Sequence, residues 1–275
     1  MTSHPFTQAT ARELYRTEER LAARTSALHR AKTHGRPVAD VIADLALEYL
    51  PACPPDVVAD IGCGRGTTTR VLAERLRPRC LLAIDASAAM LAATQVRLAG
   101  HHASFLQADF HALPMRDAVC AVVVAAFCLY HAPDPRRVTT EISRVITPGG
   151  IAIMATKSID SYSELDRIVA GAGLDTDAAA RESLYGSAHS GNLPDLLPPG
   201  LGMAHLEHEE HRFTFRDPDH LAAYLATTPK YRFPSGLTGD PVPLAAALRA
   251  HWGDKPFCAT STVTYLVARR EGAIG

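Results

Sequence analysis

The sequence has no Cys-x-x-Cys pair. Its six cysteines, Cys53, Cys63, Cys80, Cys120, Cys128 and Cys258, are scattered, which excludes a zinc framework and a disulfide scaffold. Charge of one sign is also lacking. Against 28 Lys+Arg stand 29 Asp+Glu, for a formal net charge of -1, so the basic face that a nucleic-acid binder needs is not expected. No run of eighteen apolar residues occurs, and no membrane-spanning helix is expected. No apolar stretch follows Met1, and Glu13, Glu18 and Glu19 interrupt the Arg-rich start. A secretory or transit signal is therefore not expected, and the expected location is a reducing cytoplasm. Internal repeats and long linkers are absent.

The 275 residues, 47% of them hydrophobic, suffice for one large packed domain or two small ones. Residues 7–50 read as helix, break, helix. The first helix carries Leu14, Leu21 and Leu28 as a narrow stripe, and Gly35 and Pro37 mark the break. The second buries Val38, Val41, Ile42, Leu45, Leu47 and Leu50 and stops at Pro51. From Val57 the pattern alternates. Strands are expected at 57–61, 80–84, 103–107, 119–125 and 151–155, and helices at 67–76, 88–98 and 135–145. Continuous apolar strands separated by helices imply a parallel sheet covered on both faces. Further on, a helix is expected at 161–172 and strands at 205–215 and 260–269. The last two read as an antiparallel edge, with an insertion above it containing helices at 219–226 and 244–251.

The sharpest signal is Asp60-Ile61-Gly62-Cys63-Gly64-Arg65-Gly66, which follows an expected strand and opens an expected helix. Glycines there permit a tight turn and let a ligand touch the backbone. The third glycine comes one residue earlier than in the dinucleotide fingerprint. Asp85 directly follows the second strand, where an acid accepts hydrogen bonds from both hydroxyls of a ribose. The alternative is that Asp85 only caps the helix begun at Ala88.

With these motifs and those that follow, residues 57–158 resemble the class I S-adenosylmethionine-dependent methyltransferases. Val57 to Gly66 is similar to the family's first motif and Ala83-Ile84-Asp85-Ala86-Ser87 with Met90 to its second. Gln107-Ala108-Asp109-Phe110 is similar to its third. Ala126 to His131 falls where the family has a strand-end loop beside the cofactor. Glu141 to Gly150 is similar to the helix and turn before the fifth strand. The resemblance implies a Rossmann-like, doubly wound α/β fold: seven strands, mostly parallel, the last antiparallel. It also implies S-adenosylmethionine as cofactor. By the same resemblance Gly62, Cys63, Gly64 and Gly66 form the cofactor turn, and Asp60 reaches the cofactor's amino group. Asp85 holds the ribose, Ala86 and Met90 line the adenine, and Ala108, Asp109 and Phe110 read its edge. Ala126 and Phe127 close the near side. A sulfonium and an ammonium suit acids at strand ends better than an anion cradle does. No Asn-Pro-Pro-Tyr-type tetrapeptide follows the fourth strand, which counts against nucleic-acid and protein amide acceptors.

His131, just past the fourth strand, is the candidate general base; the alternative is that it only fixes the loop before Pro133. Lys157 leaves the fifth strand on the same side and is a candidate contact for an acidic acceptor, or else a solvated lysine. Tyr15 and Tyr231 are further acceptor candidates. On the N-terminal helices His29, Arg30, Lys32 and His34 are candidate contacts, Arg30 or Lys32 for the cofactor carboxylate. His205, His208 and His211 lack metal-ligand spacing and read as an edge strand, so no metal is expected. The expected organisation is a helical cap over 1–50 and a cofactor-binding domain over 51–275, with an acceptor lid near 217–258. The expected activity is methyl transfer to a small molecule, a natural-product intermediate, by a monomer or homodimer without nucleic acid or membrane. RNA or protein methylation and a non-catalytic S-adenosylmethionine-binding protein are the alternatives. A NAD-dependent oxidoreductase is disfavoured by the early third glycine and by Asp109-Phe110.

Overall fold

The structure is a computed structural model that describes residues 18–50 and 53–272. Its strands are β1 (Lys32–His34), β2 (Val57–Ile61), β3 (Cys80–Asp85), β4 (Ser104–Gln107), β5 (Cys120–Ala126), β6 (Ile146–Lys157), β7 (Leu201–Phe215) and β8 (Phe257–Arg270). Its helices are α1 (Glu18–Ala31), α2 (Val38–Tyr49), α3 (Thr67–Leu76), α4 (Ala88–Arg97), α5 (Pro135–Val145), α6 (Ser163–Gly171), α7 (Pro218–Leu225) and α8 (Pro241–Trp252). No helix among the described residues is long and apolar enough to cross a membrane.

One sheet runs in the order β1-β7-β8-β6-β5-β2-β3-β4. From β6 to β4 the neighbours are parallel. β8 is antiparallel to both β6 and β7. This is the expected Rossmann-like α/β sheet, with two corrections. The strands number eight, not seven, because Lys32–His34 pairs with Phe213 and Arg212 at the rim of β7. Three polar residues carry no period-2 apolar signal, so the sequence pattern does not reveal them. The two long late strands are also not both at an edge: β8 lies inside the sheet, between β6 and β7.

Alternation along the parallel strands divides the core. Val122 and Val124 face α2 and α3 with Ile42, Leu45, Leu72 and Leu76. Val123 and Ala125 face α5 with Val138, Ile142 and Val145. A third cluster joins α1, α6, α7 and α8 to Phe213, Phe215 and Phe257 at the ends of β7 and β8. Each fully buried leucine there contributes roughly 1.5–3 kcal/mol. The insertion between β7 and β8 therefore has its own core beside the ends of the parallel strands. Three Asp-Pro pairs start helices α5, α7 and α8. Asp134, Asp217 and Asp240 accept N–H bonds from the first turn, and the proline fills a position whose N–H is not needed.

Gly66 closes the turn into α3 with φ +73°, and a Cβ there would lie 2.7 Å from Thr94 Cγ2. Gly173 has φ +66° with open space around it. Replacing Gly173 with Ala should cost only backbone strain, roughly 1–3 kcal/mol. Replacing Gly66 with Ala should cost more by about 1–3 kcal/mol through overpacking. Denaturant unfolding of both variants checks this ordering; equal losses would contradict the packing at Thr94.

Candidate functional site

The site forms where β2 and β3 end. Gly62, Gly64 and Gly66 all have positive φ, +63°, +56° and +73°, a left-handed conformation that glycine adopts without cost. A Cβ on Gly62 would strike Cys128 Cβ at 2.5 Å, whereas one on Gly64 meets only Leu21 Cδ2 at 4.0 Å. Gly62 is thus packed against the loop after β5, and Gly64 opens toward α1. The Cys63 N–H donates to the Ile84 carbonyl at 3.0 Å, and Thr94 Oγ1 donates to the Gly64 carbonyl at 2.8 Å. Asp85 completes the lock: Oδ2 accepts from the Gly64 N–H at 2.9 Å and Oδ1 from the Ser87 N–H at 2.8 Å. Each oxygen keeps a lone pair for a ligand.

A cavity of about 920 Å³ opens above this turn. Thirteen of the expected site residues line it: Gly62, Cys63, Gly64, Asp85, Ala86, Met90, Ala108, Asp109, Phe110, Ala126, Phe127, His131 and Lys157. Asp60, Gly66 and Tyr231 do not. Asp60 is 1% exposed and accepts a hydrogen bond from Thr69 Oγ1 at 2.6 Å. Gly66 packs on Thr94. The Tyr231 hydroxyl donates to Asp166 Oδ1 at 3.0 Å, behind the wall. Tyr15 lies outside the described residues. Of the N-terminal helices it is α1 that reaches the cavity, through Leu21, Arg24, Thr25 and Leu28, which share one face at helical spacing. His29, Arg30, Lys32 and His34 do not line it. Arg30 instead bonds Ser26 Oγ, and Lys32 the Arg36 carbonyl.

Sequence reasoning missed Arg24, Tyr130, Leu184 and Tyr185 among the lining residues. Leu184 and Tyr185 sit in the irregular stretch between α6 and β7, which has no period to read. Phe127, with φ +55°, anchors its N–H on the Ala155 carbonyl at 2.8 Å. Its ring lies under Lys157, whose Nζ is 5.3 Å from the ring centre.

The electrostatics are split between strands. Burial pushes the Asp60 carboxyl up from 3.8 to about 7, against the Thr69 hydrogen bond and helped by the charge of Asp85. Burial also raises Asp85, although N–H bonds from Ser87 and Gly64 oppose it. At Asp109 burial is outweighed by hydrogen bonds from His111, which hold that carboxyl below its usual value. Burial raises the thiols of Cys63 and Cys128, so neither is an activated nucleophile. Arg65, the basic residue within the turn, pairs with Glu18 at 3.3 Å. Two acids beside the turn, with its arginine turned away, fit a cationic nucleoside and disfavour a pyrophosphate.

Residues 58–150 match the family model of a methyltransferase domain. A malonyl-[acyl-carrier protein] O-methyltransferase of Marinomonas sp. (strain MWYL1) is 35% identical over 128 residues, 46% of this chain and 47% of that protein. A trans-aconitate 2-methyltransferase of Methylobacterium nodulans is 33% identical over 141 residues, 50% of each. The chain thus spans about half the length of these curated relatives. Among solved structures, the N-methyltransferase NodS of Bradyrhizobium japonicum WM9, in complex with S-adenosyl-L-homocysteine, superposes with a TM-score of 0.50. It is 14% identical, and the match covers 84% of this chain and 85% of NodS.

The raised Asp60 predicts a pH signature for the ligand-free protein. A folded value of about 7 lies above the unfolded value of about 3.9. The neutral acid therefore favours the fold below about pH 4, and this advantage is lost as pH rises toward 7. Asp60→Asn should match wild type in stability near pH 4 and exceed it by about 4 kcal/mol at most above pH 7. Denaturant melts at both pH values check this; a pH-independent difference would contradict it.

Proposed function

We propose that this chain, whose residues 58–150 match the family model of a methyltransferase domain, transfers a methyl group from S-adenosylmethionine to a small-molecule acceptor. The observation that carries the reading is Asp85: a strand-end carboxylate, both oxygens aimed by backbone N–H groups, on the wall of a cavity of about 920 Å³. That volume lies at the upper end of the roughly 300–1,000 Å³ typical of ligand sites and suits a nucleoside with a small acceptor beside it.

When bound, the cofactor supplies a methyl group activated by a sulfonium. The chain's own residues bind and orient. Asp85 holds the ribose hydroxyls. The backbone of Gly62, Cys63 and Gly64 packs against the amino-acid half. Ala86 and Met90 line the adenine, and Ala108, Asp109 and Phe110 meet its edge. Ala126 and Phe127 close the side toward the acceptor. Asp60 acts from beneath the turn through its charge, not by contact. Alignment of this kind contributes on the order of 7–11 kcal/mol to a displacement reaction. His131, on the same cavity, takes the proton of an acceptor that must lose one, worth roughly 10²–10⁴-fold.

Of the expected cap over 1–50, the described residues 18–50 act as a cap, with α1 over the cofactor. Residues 217–258 act as an acceptor lid, a reading supported by Tyr224, Thr228 and Pro229 on the cavity wall. The relatives named for malonyl-[acyl-carrier protein] and trans-aconitate support a metabolite acceptor. A biosynthetic intermediate, met in the cytoplasm by a monomer or homodimer without nucleic acid, is the reading we favour.

Asp85→Ala should weaken S-adenosylmethionine binding at least about tenfold, each lost ribose bond to a charged acceptor being worth about 1.5–3 kcal/mol. Calorimetry on the folded variant measures it, and unchanged affinity would count against the assignment. His131→Ala should lower turnover of labelled S-adenosylmethionine about a hundredfold or more with cofactor affinity nearly intact. Normal turnover would make His131 a structural residue.

A further inference from the structure

Lys157 ends β6, two strands from the glycine turn in the order β6-β5-β2. Its ammonium lines the same cavity as Asp85. Three rings surround it: the Nζ lies 4.6 Å from the ring centre of Tyr162, 5.3 Å from Phe127 and 5.7 Å from Tyr185. It donates to the Tyr162 hydroxyl at 2.7 Å. Burial raises the pKa of both phenols, so they are neutral partners and supply no countercharge. Among the described residues no carboxylate pairs with Lys157. The charged or titratable groups that feel it are Tyr185, a neutral phenol, and the bases Arg24, Lys32 and His211, and burial lowers the pKa of Lys157 itself. A desolvated cation without a counter-ion is costly, and aromatic faces offset only part of that cost while favouring the ammonium over the amine. The cavity is thus polarised, acids at the ends of β2 and β3 and a caged cation at the end of β6.

We infer that Lys157, with its cage of Phe127, Tyr162 and Tyr185, is a seat for a carboxylate carried by the acceptor. The inference rests on the methyl-transfer reading and adds to it the acceptor's chemical class. Phe127 lies at the ammonium, and Leu28 and Leu184 add apolar wall to the same cavity, which favours a monoanion on an apolar body over a hydrated phosphate dianion. The carboxylate completes a charge-assisted pair that the fold leaves open.

The test is a calorimetric titration of the full chain, with and without S-adenosylhomocysteine. The probes are benzoate, 3-phenylpropionate and hexanoate, each beside its primary amide, and inorganic phosphate. At least one carboxylate should bind about tenfold or more tightly than its amide. Lys157→Met, which replaces the caged ammonium with an apolar chain of similar length, should erase that preference and leave S-adenosylhomocysteine affinity within about twofold. Lys157→Gln should do the same and serves if the first variant fails to fold. No preference in any pair, a preference that survives both variants, or phosphate outbinding every carboxylate would overturn the seat. Failure of S-adenosylhomocysteine to bind wild type would instead overturn the methyl-transfer reading, and the titrations without it still decide the seat.

Discussion

The carboxylate of Asp85 ties two backbones together. By accepting from Gly64 on one side and Ser87 on the other, it fixes the glycine turn after β2 against the end of β3. The register of those two strands, Ile61 beside Ile84, brings the carboxylate to the turn, and the left-handed glycines let the turn come close enough to be held. Everything above depends on this knot: where α3 starts, where Cys63 docks on Ile84, and where the cavity opens. The backbone N–H bonds on this carboxylate oppose the effect of its burial and favour its charged form. A side-chain cation in their place as partner would have cancelled that charge.

The rest of the molecule builds walls around that point. Parallel strands end in loops on one edge, and the helices and inserted segments cover the edge unequally. The insertion between β7 and β8 packs Leu221, Leu225, Leu244 and Leu248 with Phe213, Phe215 and Phe257 of the sheet, and Tyr224, which lines the cavity, rests on Phe215 at 5.5 Å. The stretch between α6 and β7 adds Tyr185, whose ring meets Tyr130 at 5.0 Å. Acids at the ends of β2 and β3 and aromatic rings around the Lys157 ammonium at the end of β6 divide one cavity into two chemistries.

The glycine turn and the walls beside it were legible in the sequence because their parts are local. Each parallel strand carries its own apolar run, the three glycines fall within five residues of the end of β2, and Asp85 is the last residue of β3. What the sequence did not show depends on distance along the chain. The side chain of Asp60 lies under the turn because Thr69, on the first turn of α3, accepts its company there. Tyr231 faces Asp166 on α6, a contact no local pattern encodes. Lys157 was a candidate contact for an acidic acceptor from its place at a strand end, but its cage was not legible, because Phe127, Tyr162 and Tyr185 come from separate segments. The short β1 escaped notice because polar residues at a rim need no apolar alternation.

The most direct measurement of the central claim is a crystal structure of the protein grown with S-adenosylhomocysteine. The account predicts the nucleoside along the ends of β2 and β3, with both ribose hydroxyls on the Asp85 carboxylate and the amino-acid half against Gly62 and Gly64. A nucleoside bound elsewhere, or one that leaves Asp85 without a ribose contact, would contradict it.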